Sequence, residues 1–254
     1  MHETGKINWI CSPKLHQAAL ILGALEEYGY QAYIVGGAVR DLYMNLIPGD
    51  IDIATDALPF QVKQVAQSAG WETAGVGERF GVIRVRSGVG DFDISTFRCE
   101  SYGVDSHRPA AVYFHKSLIT DLARRDFTMN ALAMNRAGNI IDPFEGLRDI
   151  RAGMIRVVGD PSVRFRQDAL RMFRAVRFAA RFGFIIDPTV CKSISSNLTR
   201  VDGLAMERIK AELELTLIQP FAAQGLRVLV NTGLAGTVCR AIHLSPILVG
   251  VSGR

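Results

Sequence analysis

The sequence predicts an α+β protein in which a first half carrying a small mixed or antiparallel sheet is followed by an all-helical second half. Three observations predict it. Up to about residue 140, short apolar runs bounded by glycine alternate with stretches of helical spacing. Residues 81–97 read as a hairpin, two alternating runs around the small-residue turn SGVGD. From Pro161 onward the β-branched runs fade and heptad-like apolar spacing takes over.

Taken in order, His16 to Tyr30 reads as an amphipathic helix with Ala19, Leu20, Leu22, Leu25 and Tyr28 near helical spacing and Gly29 as its stop. QAYIVGG is a short strand, Val39 to Met44 a helix opening directly after its glycines, Asp50 to Thr55 a second strand, and Pro59 to Ala69 another helix. Gly81 to Arg86 and Phe92 to Phe97 are the hairpin strands. Helices are expected over 163–182, 188–197, 205–218 and 221–232. The turn-rich DPFEGLRD, at 142–149, marks the boundary between a domain of residues 1–147 and one of 148–254.

With 254 residues, 48% of them apolar, the chain can bury a sizeable core. No apolar run reaches the ~18 residues needed to span a bilayer, and MHETGKINWI lacks the charged start and long apolar stretch of a secretory signal. A soluble, cytoplasmic protein with no membrane partner is expected. Four cysteines, Cys11, Cys99, Cys191 and Cys239, lie far apart without a CxxC pair, which suggests neither a zinc site nor a disulfide framework and predicts reduced, mostly buried thiols. A formal charge of +4, a pI near 9.0 and bunched arginines admit a polyanionic partner.

The chemistry concentrates in IVGGAVRDLYMNLIPGDIDIAT. Side chains alternate across a strand, so Asp50 and Asp52 project from one face, with Cα atoms roughly 7 Å apart, while Ile51 and Ile53 point to the core. Two anions so close destabilise each other unless a cation or a shared proton intervenes. Hard Mg²⁺ fits, because it prefers carboxylate oxygens and keeps positions open for phosphate. Asp93, alternating with Phe92 and Ile94 in DFDISTF, supplies a third oxygen donor. Gly36 and Gly37 end a strand and open a helix, where missing Cβ atoms let phosphate approach backbone N–H groups. GGAVRD is neither GxGxxG nor a Walker A loop. The specific feature is a strand, GG, twelve residues, then Asp-x-Asp on a second strand.

That arrangement resembles the nucleotidyltransferase superfamily of DNA polymerase β. The wording GGAVRDLYMNLIPGDIDIAT resembles one branch closely, the class II tRNA nucleotidyltransferases and poly(A) polymerases, and within it the bacterial CCA-adding members. The likeness continues in order through RRDFTMNALAMN, DPFEGLRD, IRVVGDPSVRFRQDALRMFRAVRFAARFGF and MERIKAELE, covering roughly residues 15 to 235. It implies a polymerase-β-like nucleotidyltransferase head followed by a helical neck and a partial body. Asp50 and Asp52 become the metal-binding catalytic pair and Asp93 the third acidic position. Gly36 and Gly37 hold the incoming triphosphate, helped by Arg40. Arg125 lies near the triphosphate, with Asp126 and Asn130 around the ribose.

Asp168 and Arg171, spaced i, i+3, are expected together on one helix face. A carboxylate accepts from an exocyclic amine and a guanidinium donates to a ring nitrogen or carbonyl, the pattern that cytosine and adenine share and that guanine and uracil lack. Mispairing of buried charged partners costs several kcal/mol, so side chains could select CTP and ATP without a nucleic-acid template. Arg174 keeps its family position and helps place the base. Gln167 replaces the glutamate usual before this aspartate, and as a neutral acceptor it would hold nearby arginines less strongly.

Arg164, Arg166, Arg171, Arg174, Arg177 and Arg181 share this region with Phe165, Ala169, Phe173, Val176 and Ala180 on the opposing side, so some of these cations are expected to meet RNA phosphate. ESYGVDSHRPAAVYF, 100–114, resembles the flexible loop of full CCA-adding members. The implied reaction is Mg²⁺-dependent transfer of CMP and then AMP from CTP and ATP to the 3′ end of tRNA, releasing pyrophosphate. Poly(A) addition, A-only addition and a noncatalytic RNA-binding module are the alternatives, and a homodimer is compatible with the sequence. Family members continue well beyond SPILVGVSGR, so the sequence reads as a fragment or a shortened natural form, in which nucleotide binding can survive the loss of tRNA affinity or processive addition.

Overall fold

The computed structural model describes residues 12–101 and 111–241. These fall into two compact units, one ending at Arg148 and the other running from Asp149.

The first unit opens with α1 (Pro13–Glu27), whose N-cap Ser12 accepts from the Leu15 N–H. Its buried stripe is Leu15, Ala18, Ile21, Leu22 and Leu25. Leu22 and Leu25 are buried as expected, whereas Leu20 and Tyr28 are exposed and Leu15, Ala18 and Ile21 complete the core-facing set. Gly29, at φ +83°, turns the chain into β1 (Ala32–Val35). Next come α2 (Gly37–Tyr43), β2 (Asp52–Thr55), α3 (Pro59–Ser68), β3 (Glu72–Gly77), β4 (Val82–Ser87), β5 (Gly90–Thr96), β6 (Arg98–Ser101), β7 (Ala111–Phe114), α4 (Leu118–Ala123), β8 (Ala133–Met134), β9 (Ile140–Ile141) and α5 (Gly146–Arg151).

Seven strands form one mixed sheet in the order β3-β4-β5-β2-β1-β8-β9. β2 runs parallel to β5, with Ile53 beside Ile94, and every other pairing is antiparallel. Alternation puts Ile53, Ile83, Val85, Phe92 and Ile94 into a core that α1 and α3 help close. The expected β4–β5 hairpin is present. The strand expected over 50–55 begins two residues later, yet the alternation holds: Ile51 and Ile53 are buried while Asp50 and Asp52 are exposed. β6 and β7 pair separately as a two-stranded ribbon, and the centre of the loop expected to be flexible, 102–110, lies outside the described residues. DPFEGLRD is built by its own chemistry: Asp142 accepts from the Gly146 and Leu147 N–H groups, both at 2.8 Å, and so starts α5.

The second unit contains β10 (Met154–Ile155), α6 (Pro161–Gln167), α7 (Leu170–Phe182), β11 (Ile185–Ile186), α8 (Pro188–Ser196), α9 (Met206–Leu217), α10 (Ala222–Asn231) and α11 (Leu234–Ala241). It is helical apart from one correction, a parallel pair of two-residue strands, β10 with β11. Its buried face joins Phe165, Ala169, Phe173, Val176 and Ala180, the expected apolar side. Gly225 lets α10 approach α7 and α9: a Cβ there would lie 2.8 Å from Ala180 Cβ and 3.1 Å from Thr216 Cγ2. The helix expected over 163–182 is broken at Asp168, whose backbone is extended, at φ −152° and ψ 107°. Cys99, Cys191 and Cys239 are free thiols and half-buried rather than mostly buried; Cys11 lies outside the described residues. Among the described residues, no helix is long and apolar enough to cross a membrane.

Candidate active site

Strand register assembles the acidic group. Because Ile53 pairs with Ile94 in parallel, Asp52 and Asp93, one residue earlier on each strand, stand side by side on the face opposite the core. Asp50, Ile51, Asp52, Arg84, Asp91 and Asp93 line one concavity of about 330 Å³. Crowding by protein atoms raises the pKa of Asp52 above the ordinary carboxylate value; Arg125 pulls it down, Asp93 and Asp50 push it further up, and Lys14 opposes them. Asp93 carries its own counter-ion. It accepts from Arg84 at two points, Nε at 2.7 Å and Nη2 at 2.9 Å, directly across the β4–β5 ladder.

The expected magnesium can be tested against these donors. Among the described residues, no group of three or more acidic, His or Cys side chains is arranged to enclose an ion. Magnesium does not need such a cage: one or two carboxylates, waters and substrate phosphates complete its octahedron. Asp50 and Asp52 on one open face meet that requirement.

The glycines lie next to this face, since Val35 pairs with Asp52. Gly36 has φ +76° and ψ −135°, a conformation essentially reserved for glycine. A Cβ on it would come within 2.8 Å of an Arg125 Nη, and one on Gly37 would lie 3.2 Å from an Arg40 Nη. Two guanidinium groups therefore stand against the turn. Arg125 donates to Asp121 at 3.2 Å, while its Nε is buried with no acceptor in reach. Asp121 is itself buried; burial alone would raise its pKa, but Arg124 and Arg125 outweigh that and hold it below the usual range.

Arg40 sits at the glycines but differs from an open phosphate ligand. It is 3% exposed, donates to Asp41 at 2.7 and 2.9 Å, and donates to the Asn130 side-chain oxygen. Asn130 in turn donates to Asp126 at 3.0 Å. The expected ribose pair is thus together and locked by a buried cation, so Arg40 here orients Asn130 rather than offering free donors to a triphosphate. The spacing between positions 40 and 130 hid this link.

The remaining expected residues belong to the second unit. Asp168 and Arg171 do not share a helix face, because the chain breaks between α6 and α7. Asp168 Oδ1 accepts from the Leu170 N–H at 3.1 Å, satisfying a donor of α7's first turn, and its Oδ2 accepts from Arg208 at 3.0 Å. Gln167 accepts from Arg164 at 2.9 Å and Arg171 at 3.3 Å, so the neutral side chain still gathers both arginines. Arg174 approaches Glu212 at 4.0 Å and lies 5.5 Å from the Phe178 ring centre. Arg177 donates to Glu212 at 2.6 Å, so this cation is held within the helical unit rather than left as a solvated phosphate contact. Sequence reasoning missed Arg84, Arg208 and Glu212 as partners. MERIKAELE contains the last two, but their distance along the chain gave no pairing signal.

The sheet, the glycine turn and the adjacent acidic pair together define a nucleotidyltransferase head. Residues 32–156 match the family described as "Poly A polymerase head domain", and 183–243 match "Probable RNA and SrmB- binding site of polymerase A". The chain belongs to the class II tRNA nucleotidyltransferase and poly(A) polymerase family. It is 46% identical over 215 residues to a CCA-adding enzyme of Geobacillus sp. (strain WCH70), covering 84% of this chain and 52% of that one. It is 43% identical over 214 residues to the one of Limosilactobacillus fermentum, covering 84% and 52%. Its fold is similar to the Bacillus stearothermophilus CCA-adding enzyme in complex with CTP, with TM-score 0.80, 43% identity, and 88% and 53% coverage. It is also similar to the Thermotoga maritima CCA-adding enzyme complexed with tRNA-CCA, with TM-score 0.81, 25% identity, and 98% and 59% coverage. The chain spans about half the length of the curated relatives it matches.

Proposed function

We propose that this chain carries out template-independent transfer of CMP and AMP from CTP and ATP to the 3′ end of tRNA, in the cytoplasm, with Mg²⁺ held by Asp50 and Asp52. The observation that carries this reading is the Asp52–Asp93 register beside Gly36 and Arg125, in a family whose relatives are CCA-adding enzymes. When bound, the ion would supply positive charge for the phosphates and lower the pKa of the attacking hydroxyl.

The chain's own groups do the placing. Gly36 and Gly37 leave room for a triphosphate, and Arg125 brings a guanidinium with a spare buried donor to the same turn. Asp126 and Asn130, fixed by Arg40, present oxygen and amide to a ribose. In the helical unit Asp168, Arg171 and Arg174 are the base-reading set, with Arg208 fixing the carboxylate. The residues 1–147 form the catalytic head and 148–254 the neck and start of the body.

Incubating the protein with tRNA lacking CCA and each labelled nucleotide tests the reading. Addition of C from CTP alone, then A, supports it. An unchanged primer with CTP alone but extension with ATP identifies A-only or poly(A) addition, and an Asp52→Ala protein that still incorporates nucleotide removes the catalytic assignment.

A further inference from the structure

Arg84 is the one cation among the described residues lining the acidic concavity, which it shares with Asp50, Asp52, Asp91 and Asp93. Its fork closes on both oxygens of Asp93, and the two side chains are 34% and 35% exposed, so the pair lies at the open face of the sheet. Its neighbours along β4, Ile83 and Val85, are fully buried. The Arg84 side chain can therefore leave Asp93 without disturbing the core.

Asp93 stands next to Asp52 by strand register, and both carboxylates line the same concavity. A divalent cation entering at Asp50 and Asp52 draws on the same field. Guanidinium nitrogens cannot ligate a hard cation, whereas carboxylate oxygens can. An ion that uses Asp93 competes with the fork for that carboxylate's charge and lone pairs, and one that does not must tolerate a positive charge alongside.

We propose that Arg84 is a resident counter-ion of the catalytic carboxylates, holding Asp93 while no divalent ion is bound and yielding that carboxylate when one arrives. The inference rests on the reading of Asp50 and Asp52 as the ion-binding pair and deepens it. Its consequence is that the protein binds free metal weakly and takes up its ion most readily when nucleotide phosphates contribute further oxygens.

The test is Mn²⁺ binding to the full chain without nucleotide, read from the electron paramagnetic resonance signal of the free ion. Arg84→Met is expected to bind Mn²⁺ about 3- to 10-fold more tightly than the parent, and the double variant Arg84→Met/Asp93→Asn to lose that gain. Arg84→Lys, which keeps a cation without the fork, is expected in between and serves should the methionine variant fold poorly by circular dichroism. Parent-like or weaker binding by Arg84→Met and Arg84→Lys, with binding lost in Asp52→Asn, overturns the exchange alone. A gain that survives undiminished in the double variant also overturns it, because Asp93 would then play no part. Unaltered Mn²⁺ binding in Asp52→Asn overturns the ion-pair reading and the exchange with it.

Discussion

Arg208 donates to Asp168 at 3.0 Å across 40 residues of chain, so the carboxylate expected to read a base amine has one oxygen held from α9. The other oxygen is taken by the Leu170 N–H. Asp168 is thereby fixed at a break in the chain rather than carried on a regular helix.

Replacing Arg208 with methionine should loosen base selection more than it harms the fold, since its side chain is 36% exposed. Incorporation of CTP and ATP is expected to fall about 10-fold, with relatively more UTP or GTP accepted. Measuring all four nucleotides in parallel checks this; equal loss for all four would assign Arg208 a structural role only.

Gly36→Ala should cost about 1–3 kcal/mol of stability, because alanine disfavours this backbone conformation and its methyl group would meet Arg125. Urea unfolding reads the first effect. CTP binding by calorimetry reads the second and is expected to weaken at least about 10-fold.

Asp52→Asn should be more heat-resistant than the parent at pH 7 while losing at least about 100-fold of its incorporation rate. The sign follows from the raised pKa of Asp52: the folded state holds the proton more tightly than the unfolded state, so the native charge opposes folding once pH exceeds the unfolded value of about 3.9. Melting curves from pH 3.5 to 7 in the presence of a chelator should converge at the acidic end.

Asp121 behaves oppositely. Its lowered pKa contributes stability that is complete above the unfolded value of about 3.9 and is lost as pH falls through the folded value. Asp121→Asn should therefore cost about 3 kcal/mol at neutral pH, leaving Arg124 and Arg125 without their shared carboxylate, and progressively less in acid. Chemical denaturation at pH 7 and at pH 3 gives the comparison.

Alternation made much of the head legible. Ile51, Asp52 and Ile53 announce a half-buried strand, and SGVGD between two alternating runs announces the β4–β5 hairpin. β3 escaped because ETAGVG carries two glycines and buries none of its residues deeply, leaving no apolar rhythm. The break at Asp168 escaped because QDALR contains neither glycine nor proline; the interruption comes from a side chain satisfying the next helix's first turn. The site's identity as an acidic pair beside glycines could be read locally. Its counter-ions could not, because Arg84 with Asp93 depends on a strand pairing, and Arg40 with Asn130 and Arg208 with Asp168 on tertiary approach.

The parallel seam between β2 and β5 ties the pairing of Asp52 with Asp93 to foldedness. Sliding either strand by a single residue would send isoleucines into water and aspartates into hydrocarbon, a loss no marginally stable domain survives. A natively packed head therefore brings those two acids side by side.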